Sequence, residues 1–113
     1  MKALRHALPR NELEVYYQPQ VLAGDGRIAG VEALLRWKSA ELGSIDPTRF
    51  IPVAERTGHI IPMGMWVLEK ACTQIESWRR VRHTQLRRAV NLSAVQVTQP
   101  GFAGAVQGVL EKT

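Results

Sequence analysis

The chain has 113 residues, which is room for one small domain with one core. With 45% hydrophobic and 22% charged residues it reads as a folded globular protein, and no apolar stretch approaches the roughly 20 residues that cross a bilayer, so no membrane segment is expected. The net charge of +5 raises the question of a polyanionic partner, while the single cysteine, Cys72, rules out an intrachain disulfide and no zinc-type Cys/His spacing is present.

In chain order, residues 1–8 look like the last turns of a helix, with Leu4 and Leu8 on one side. They carry Lys2, Arg5 and His6 but no long apolar run, which excludes a secretory signal and makes the cytoplasm the default location. Pro9-Arg10-Asn11 breaks the pattern. Residues 13–21 read as a strand, with Val15, Tyr17, Pro19 and Val21 on one face and Tyr16, Gln18 and Gln20 on the other. Pro19 has no N–H for a ladder, so it belongs at a strand edge, end or bulge. Ala23-Gly24-Asp25-Gly26 is a turn whose Asp-Gly pair signals a hairpin. The next strand should therefore run antiparallel to the first.

That next stretch, residues 28–37, is rich in strand-forming residues, although periodicity alone does not exclude a helix of similar length. As a strand it places Glu32, Leu34 and Arg36 on one face and the apolar Val31, Ala33, Leu35 and Trp37 on the other. A carboxylate inside an apolar run is costly unless it is paired or holds a metal. On the strand alone, a structural Glu32–Arg36 ion pair is the plainer reading.

Residues 39–44 read as a polar loop. Asp46-Pro47 looks like an N-cap followed by proline at the first helical position. Pro52 disfavours helix at Ile51, so a short helix is expected over 52–57, stopped by Gly58. Pro62 opens the best helical pattern: Met65, Leu68, Cys72 and Ile75 recur at three- and four-residue steps, widened by Ala71 and Trp78. On that stripe Cys72 reads as a core thiol rather than a nucleophile. The pattern runs into an acid-free window, residues 79–88, with Arg79, Arg80, Arg82, Arg87 and Arg88. A nucleic-acid patch and a solvated helix end both fit; without interleaved aromatics for stacking, the solvated end is preferred and no nucleic-acid polymer is expected as partner. Residues 88–93 form a short strand interrupted by Asn91, and Pro100 starts a last helix with Phe102, Val106, Val109 and Leu110 on its buried side. Strands alternating with helices after an opening hairpin predict an α/β fold with a parallel sheet and helices outside.

Polar positions at strand ends then stand out: Gln18, the Glu32/Arg36 pair and Asn91. Parallel α/β folds place their chemistry at the carboxyl ends of strands. Glu and Asn are oxygen donors, which suit Mg²⁺ or Mn²⁺. An arginine at Arg36 can hold a phosphate through a bidentate contact. Asn91, just before Leu92-Ser93, equally serves to cap the following turn.

Tyr17-Gln18-Pro19, Glu32-Ala33-Leu34-Leu35-Arg36-Trp37, Phe50-Ile51-Pro52-Val53-Ala54-Glu55, Trp66-Val67-Leu68 and Asn91-Leu92-Ser93-Ala94 occur in the order and approximate spacing of the EAL domain. The sequence resembles that family over nearly its whole length. The resemblance implies a bacterial phosphodiesterase that opens cyclic di-GMP to linear pGpG, built on a modified TIM-type (β/α) barrel whose first strand is antiparallel. It implies that Glu32 and Asn91 bind Mg²⁺ or Mn²⁺ and so carry the catalysis. It assigns Arg36 to a substrate phosphate, Gln18 to the binding groove, and Leu34 and Pro52 to the neighbourhood of a guanine. Glu55 also matches a position of the family pattern.

The family's later acidic, Asp-Asp-Phe-Gly and lysine motifs do not occur here, so residues 1–113 correspond to the N-terminal half of such a domain and are expected to be inactive alone. In the parent protein, dimerisation or attachment to sensory or GGDEF domains is implied. The alternative is a degenerate, non-catalytic EAL module for nucleotide binding or protein interaction. The presence of both Glu32 and Asn91 favours an active parent.

Overall fold

In a computed structural model, residues 2–21, 24, 26, 28–82, 87–90 and 94–113 are described. Every strand pairs with one central strand, β2 (Ile28–Ser39). β1 (Leu13–Val21) lies antiparallel along it, with Leu13 opposite Trp37 and Tyr17 opposite Ala33. This is the hairpin that the sequence predicts, although Ala23 and Asp25 of its turn lie outside the described residues. Among the described residues β1 is an edge strand, which is where Pro19 is tolerated.

The other edge of β2 is shared. β4 (Arg87–Val90) runs parallel to Gly30–Ala33, and a short β3 (Gly43–Ile45) folds back antiparallel on Trp37, Lys38 and Ser39. Between them, residues 34–36 have no described strand partner on that edge. β3 corrects the reading of 39–44 as a plain loop. Ser39 is buried and its hydroxyl accepts from the N–H groups of Glu41 and Leu42, closing a tight turn that returns the chain to the sheet. Parallel pairing is confined to β2 and β4 among the described strands.

The helices stack on the apolar face of β2. α1 (Pro47–Thr57) starts at Asp46, whose carboxylate accepts from the Thr48 N–H at 2.9 Å, and ends at Gly58 in the left-handed region at φ 83°. The expected break at Pro52 is absent. Phe50 and Ala54 are fully buried on either side of it, and their packing keeps the chain helical through the loss of one backbone bond. α2 (Ile60–Arg82) begins before Pro62, which then sits in the first turn, where a missing N–H leaves no intrahelical bond unmade. Its buried stripe is Met63, Val67, Leu68, Ala71, Cys72 and Ile75, with Cys72 in the core as expected.

α3 (Ala94–Val97) is a single turn that the sequence did not signal, and α4 (Phe102–Lys112) closes the chain. Val109 is buried on α4, whereas Leu110, expected to be buried, is exposed. The N-terminal segment Lys2–His6 is a 3₁₀ turn rather than an α-helix. Leu4 and Ala7 are fully buried there, and Leu8, half-buried, packs against the same cluster.

One core cluster joins this N-terminal turn to Leu13, Trp37, Ile45, Phe50, Ala54, Ile60 and Met63. Trp37 is its centre, with its ring edge-on to Phe50 at 5.5 Å. Its indole N–H donates to the buried Glu12 carboxylate at 3.0 Å, which also accepts from the Ala40 N–H at 2.9 Å. A second cluster, Leu68, Cys72 and Val109, fastens α4 to α2.

Candidate functional site

With the apolar face of β2 covered by helices, the register decides what the opposite face presents. Gln18 lies directly across from Glu32, Tyr16 from Leu34, and Glu14 from Arg36. Side chains opposite one another share a face, so Gln18, Glu32, Leu34 and Arg36 form one row with Tyr16 and Glu14. On the other side of β2, Glu32 is beside Ala89 of β4 and Ala33 beside Val90. Asn91 lies outside the described residues.

Glu32 is half-buried. No salt bridge or hydrogen bond joins its carboxylate to another group among the described residues. The Glu32–Arg36 ion pair that the strand alone suggested does not form. Arg36 instead donates from Nη1 to the Leu35 carbonyl at 2.9 Å, and its guanidinium lies over the Tyr16 ring, 5.7 Å from the centroid. Glu14, its cross-strand neighbour, pairs with Lys38 at 3.4 Å. The Tyr16 hydroxyl and then Glu14 hold the Lys38 ammonium above its ordinary range, so it stays charged.

Leu34 and Arg36 also open onto a cavity of about 280 Å³ between the middle of β2 and the helices, lined further by Ile51, Glu55, Gly64 and Gln96. Pro52, next to Ile51, is exposed on α1 and is not among the lining residues. Glu55, half-buried, reaches the cavity from the same helix. Close by, Thr48 binds the Asp46 carboxyl through its hydroxyl and its N–H and keeps it below the usual carboxylate range, with a smaller contribution from the Arg36 charge.

The sequence reading missed Gln96. It is 2% exposed, lies on α3, and its Nε2 has no hydrogen-bond partner among the described residues. Its carboxamide rests on Gly64 of α2, where a Cβ would overlap the Gln96 amide atoms. The one available signal was a glycine inside a strong helical pattern, which usually marks a close approach.

The arginine window resolves in part. Arg79 is half-buried rather than exposed and donates to Glu76 at 2.8 Å, while the exposed Arg80 approaches the same carboxylate at 3.5 Å. The acid lies one turn upstream of the window, which is why the window alone appeared unpaired. The side chains of Arg82, Arg87 and Arg88 lie outside the described residues. No helix among the described residues is long and apolar enough to cross a membrane.

Comparison with known proteins agrees with this geometry. The family described as "EAL domain" matches residues 1–113. The chain is 47% identical over 107 residues to the bifunctional diguanylate cyclase/cyclic di-GMP phosphodiesterase MucR of Pseudomonas aeruginosa, across 95% of this chain and 16% of that protein. It is 39% identical over 109 residues to the cyclic di-GMP phosphodiesterase PdeR of Escherichia coli, across 96% of this chain and 16% of that protein. Among solved structures, the PaMucR phosphodiesterase in complex with c-di-GMP superposes with a TM-score of 0.92 at 45% identity, over 98% of this chain and 45% of that chain. The EAL enzyme Bd1971, solved with cAMP and cyclic di-GMP, gives 0.87 at 29% identity, over 98% of this chain and 32% of that chain. The chain thus spans less than half the length of each of these proteins. Matched from end to end, with an antiparallel β1 and the Glu-Ala-Leu triplet on its central strand, the chain belongs to the EAL domain family.

Proposed function

We propose that this chain forms the opening strands of a modified (β/α) barrel and supplies part of the site of a divalent-metal-dependent phosphodiesterase that hydrolyses cyclic di-GMP to linear pGpG. The observation that carries this reading is the row on the uncovered face of the hairpin. Gln18 faces Glu32, and both Glu32 and Arg36 are without an ionic partner among the described residues. An acid and a guanidinium that decline to neutralise each other on one strand are suited to a metal and a phosphate. The names of MucR and PdeR as cyclic di-GMP phosphodiesterases, and the c-di-GMP in the PaMucR structure, support the substrate.

The donor chemistry fits Mg²⁺ or Mn²⁺. Glu32 offers carboxylate oxygens and Asn91 a carbonyl oxygen, both suited to hard cations. Such cations take about six ligands, and no group of three or more acidic, His or Cys side chains that could hold a metal occurs among the described residues. The remaining donors would come from groups outside the described residues. Held by Glu32 and Asn91, such a cation would supply charge neutralisation at the phosphate and a lowered pKa for a bound water.

The chain's own residues do the rest. The Arg36 fork, with one N–H engaged by the Leu35 carbonyl, directs its other donors at non-bridging phosphate oxygens. Gln18 gives an amide donor and acceptor beside Glu32, and Leu34 and Pro52 provide apolar contact for a guanine. In the parent protein the domain works as a dimer or under attached sensory or GGDEF domains, in the cytoplasm. The test is turnover by the complete domain: Mn²⁺ with cyclic di-GMP should yield pGpG by chromatography, and Arg36→Ala should raise KM. Binding without hydrolysis at any metal concentration would favour the non-catalytic module instead.

A further inference from the structure

The cross-strand register poses a difficulty for Arg36. Glu14 sits directly opposite it on β1, the position where opposite charges on a shared face ordinarily pair. An Arg36–Glu14 bridge would occupy the guanidinium fork that the proposed phosphate contact needs. That bridge is absent, because Glu14 Oε2 goes instead to Lys38 Nζ at 3.4 Å, on the diagonal of the same face. Lys38 and Arg36 also share the Tyr16 ring, at 5.6 and 5.7 Å from its centroid. A cation on an aromatic face keeps its N–H donors available to other groups.

We propose that Lys38 is a positioning residue: by holding Glu14 on the diagonal, it leaves the Arg36 guanidinium unpaired and available to the substrate phosphate, with Tyr16 as the surface on which both cations are seated. The inference rests on the phosphodiesterase reading for the identity of the phosphate, but the charge exchange among Glu14, Lys38 and Arg36 stands on the geometry alone. Removing the Lys38 ammonium frees Glu14 to take Arg36. The substrate must then break that new pair, which raises KM and leaves kcat unchanged, because the chemistry at phosphorus does not involve Lys38.

The experiment is a double-mutant cycle in the complete domain, with KM and kcat for cyclic di-GMP read separately. Lys38→Gln should raise KM about two- to fivefold, the range of a cross-strand charge pair. Glu14→Gln should leave KM at the wild-type value. Lys38→Gln/Glu14→Gln should return KM to wild type, because the competing carboxylate is gone. A KM unmoved in Lys38→Gln, or not restored in the double variant, overturns the proposal, since a lysine that merely stabilised the strand would not be rescued by loss of Glu14. If the wild-type domain shows no turnover at all, the phosphodiesterase reading fails by itself and ¹³C NMR of the Glu14 side-chain carboxyl decides the inference. In the Lys38→Gln background that signal should shift on Arg36→Gln, whereas in the wild type it should not. Absence of that difference overturns the inference.

Discussion

Gly64 offers a test in which local propensity and tertiary packing give opposite signs. It lies inside α2, where Gly→Ala alone should add about 1 kcal/mol of stability by restricting the unfolded chain and favouring helix. In the folded protein the new Cβ falls on the Gln96 carboxamide, which is 2% exposed and must move. Displacing a packed buried side chain costs about 1–3 kcal/mol. The cavity beside Gln96 gives the carboxamide somewhere to go, which keeps the cost toward the lower end. The net effect of Gly64→Ala is then a loss of about 0–2 kcal/mol.

Gln96→Ala removes the obstacle, and because its Nε2 is without a partner among the described residues no hydrogen bond to them is lost from that atom. In that background Gly64→Ala should recover its gain of about 1 kcal/mol. The assay is urea unfolding of the complete domain in both backgrounds, comparing midpoints at constant m-value. A coupling of about 1 kcal/mol or more is expected between these touching sites. A gain of the same size in both backgrounds would refute the close approach of Gln96 to Gly64.

Further outcomes follow from other groups. The Ala40 N–H and then the Trp37 indole hold the Glu12 carboxyl below its ordinary value of 4.5, so its contribution to stability is present above that pH and is lost as pH falls through the lowered folded-state value. Glu12→Gln should flatten that acid limb in unfolding curves taken between about pH 5 and pH 2. Trp37→Ala should destabilise the fold by about 3–5 kcal/mol, read as a fall in denaturation midpoint, because a 1% exposed ring at the centre of the main cluster leaves a cavity. On the proposed metal reading, the 113-residue chain alone should give no pGpG from cyclic di-GMP and Mn²⁺, since Glu32 and Asn91 would be too few donors for the metal; turnover by a monomer would contradict this.

What the sequence made legible was mostly carried by two-residue alternation. It placed Glu32, Leu34 and Arg36 together, and Asp25-Gly26 with Pro19 gave an antiparallel edge hairpin; the register then brought Gln18 opposite Glu32. Alternation says nothing about which charges pair once two strands meet, so the Glu32–Arg36 pair was expected and the Glu14–Lys38 diagonal was not. The helical break at Pro52 failed because propensity is local while Phe50 and Ala54 are held by the core. The N-terminal segment differs in helix type: Leu4 and Leu8 satisfy an α-helical period and both reach the core, but the 3₁₀ turn also buries Ala7 fully. Gln96 was hidden because a buried amide on one turn of helix has no periodic signature, and only its glycine counterpart leaves a trace in the sequence.

The central claim is that Glu32, without an ionic partner among the described residues, holds a divalent cation. Mn²⁺ binding to the complete domain, followed by electron paramagnetic resonance of the free ion, tests this without reference to turnover. Glu32→Gln preserves shape and removes the charge. It should weaken Mn²⁺ binding at least about tenfold, as expected for loss of a charged ligand from a hard-cation site, with an unchanged denaturation midpoint. Mn²⁺ affinity equal to wild type in Glu32→Gln, or loss of stability with affinity intact, would contradict the account.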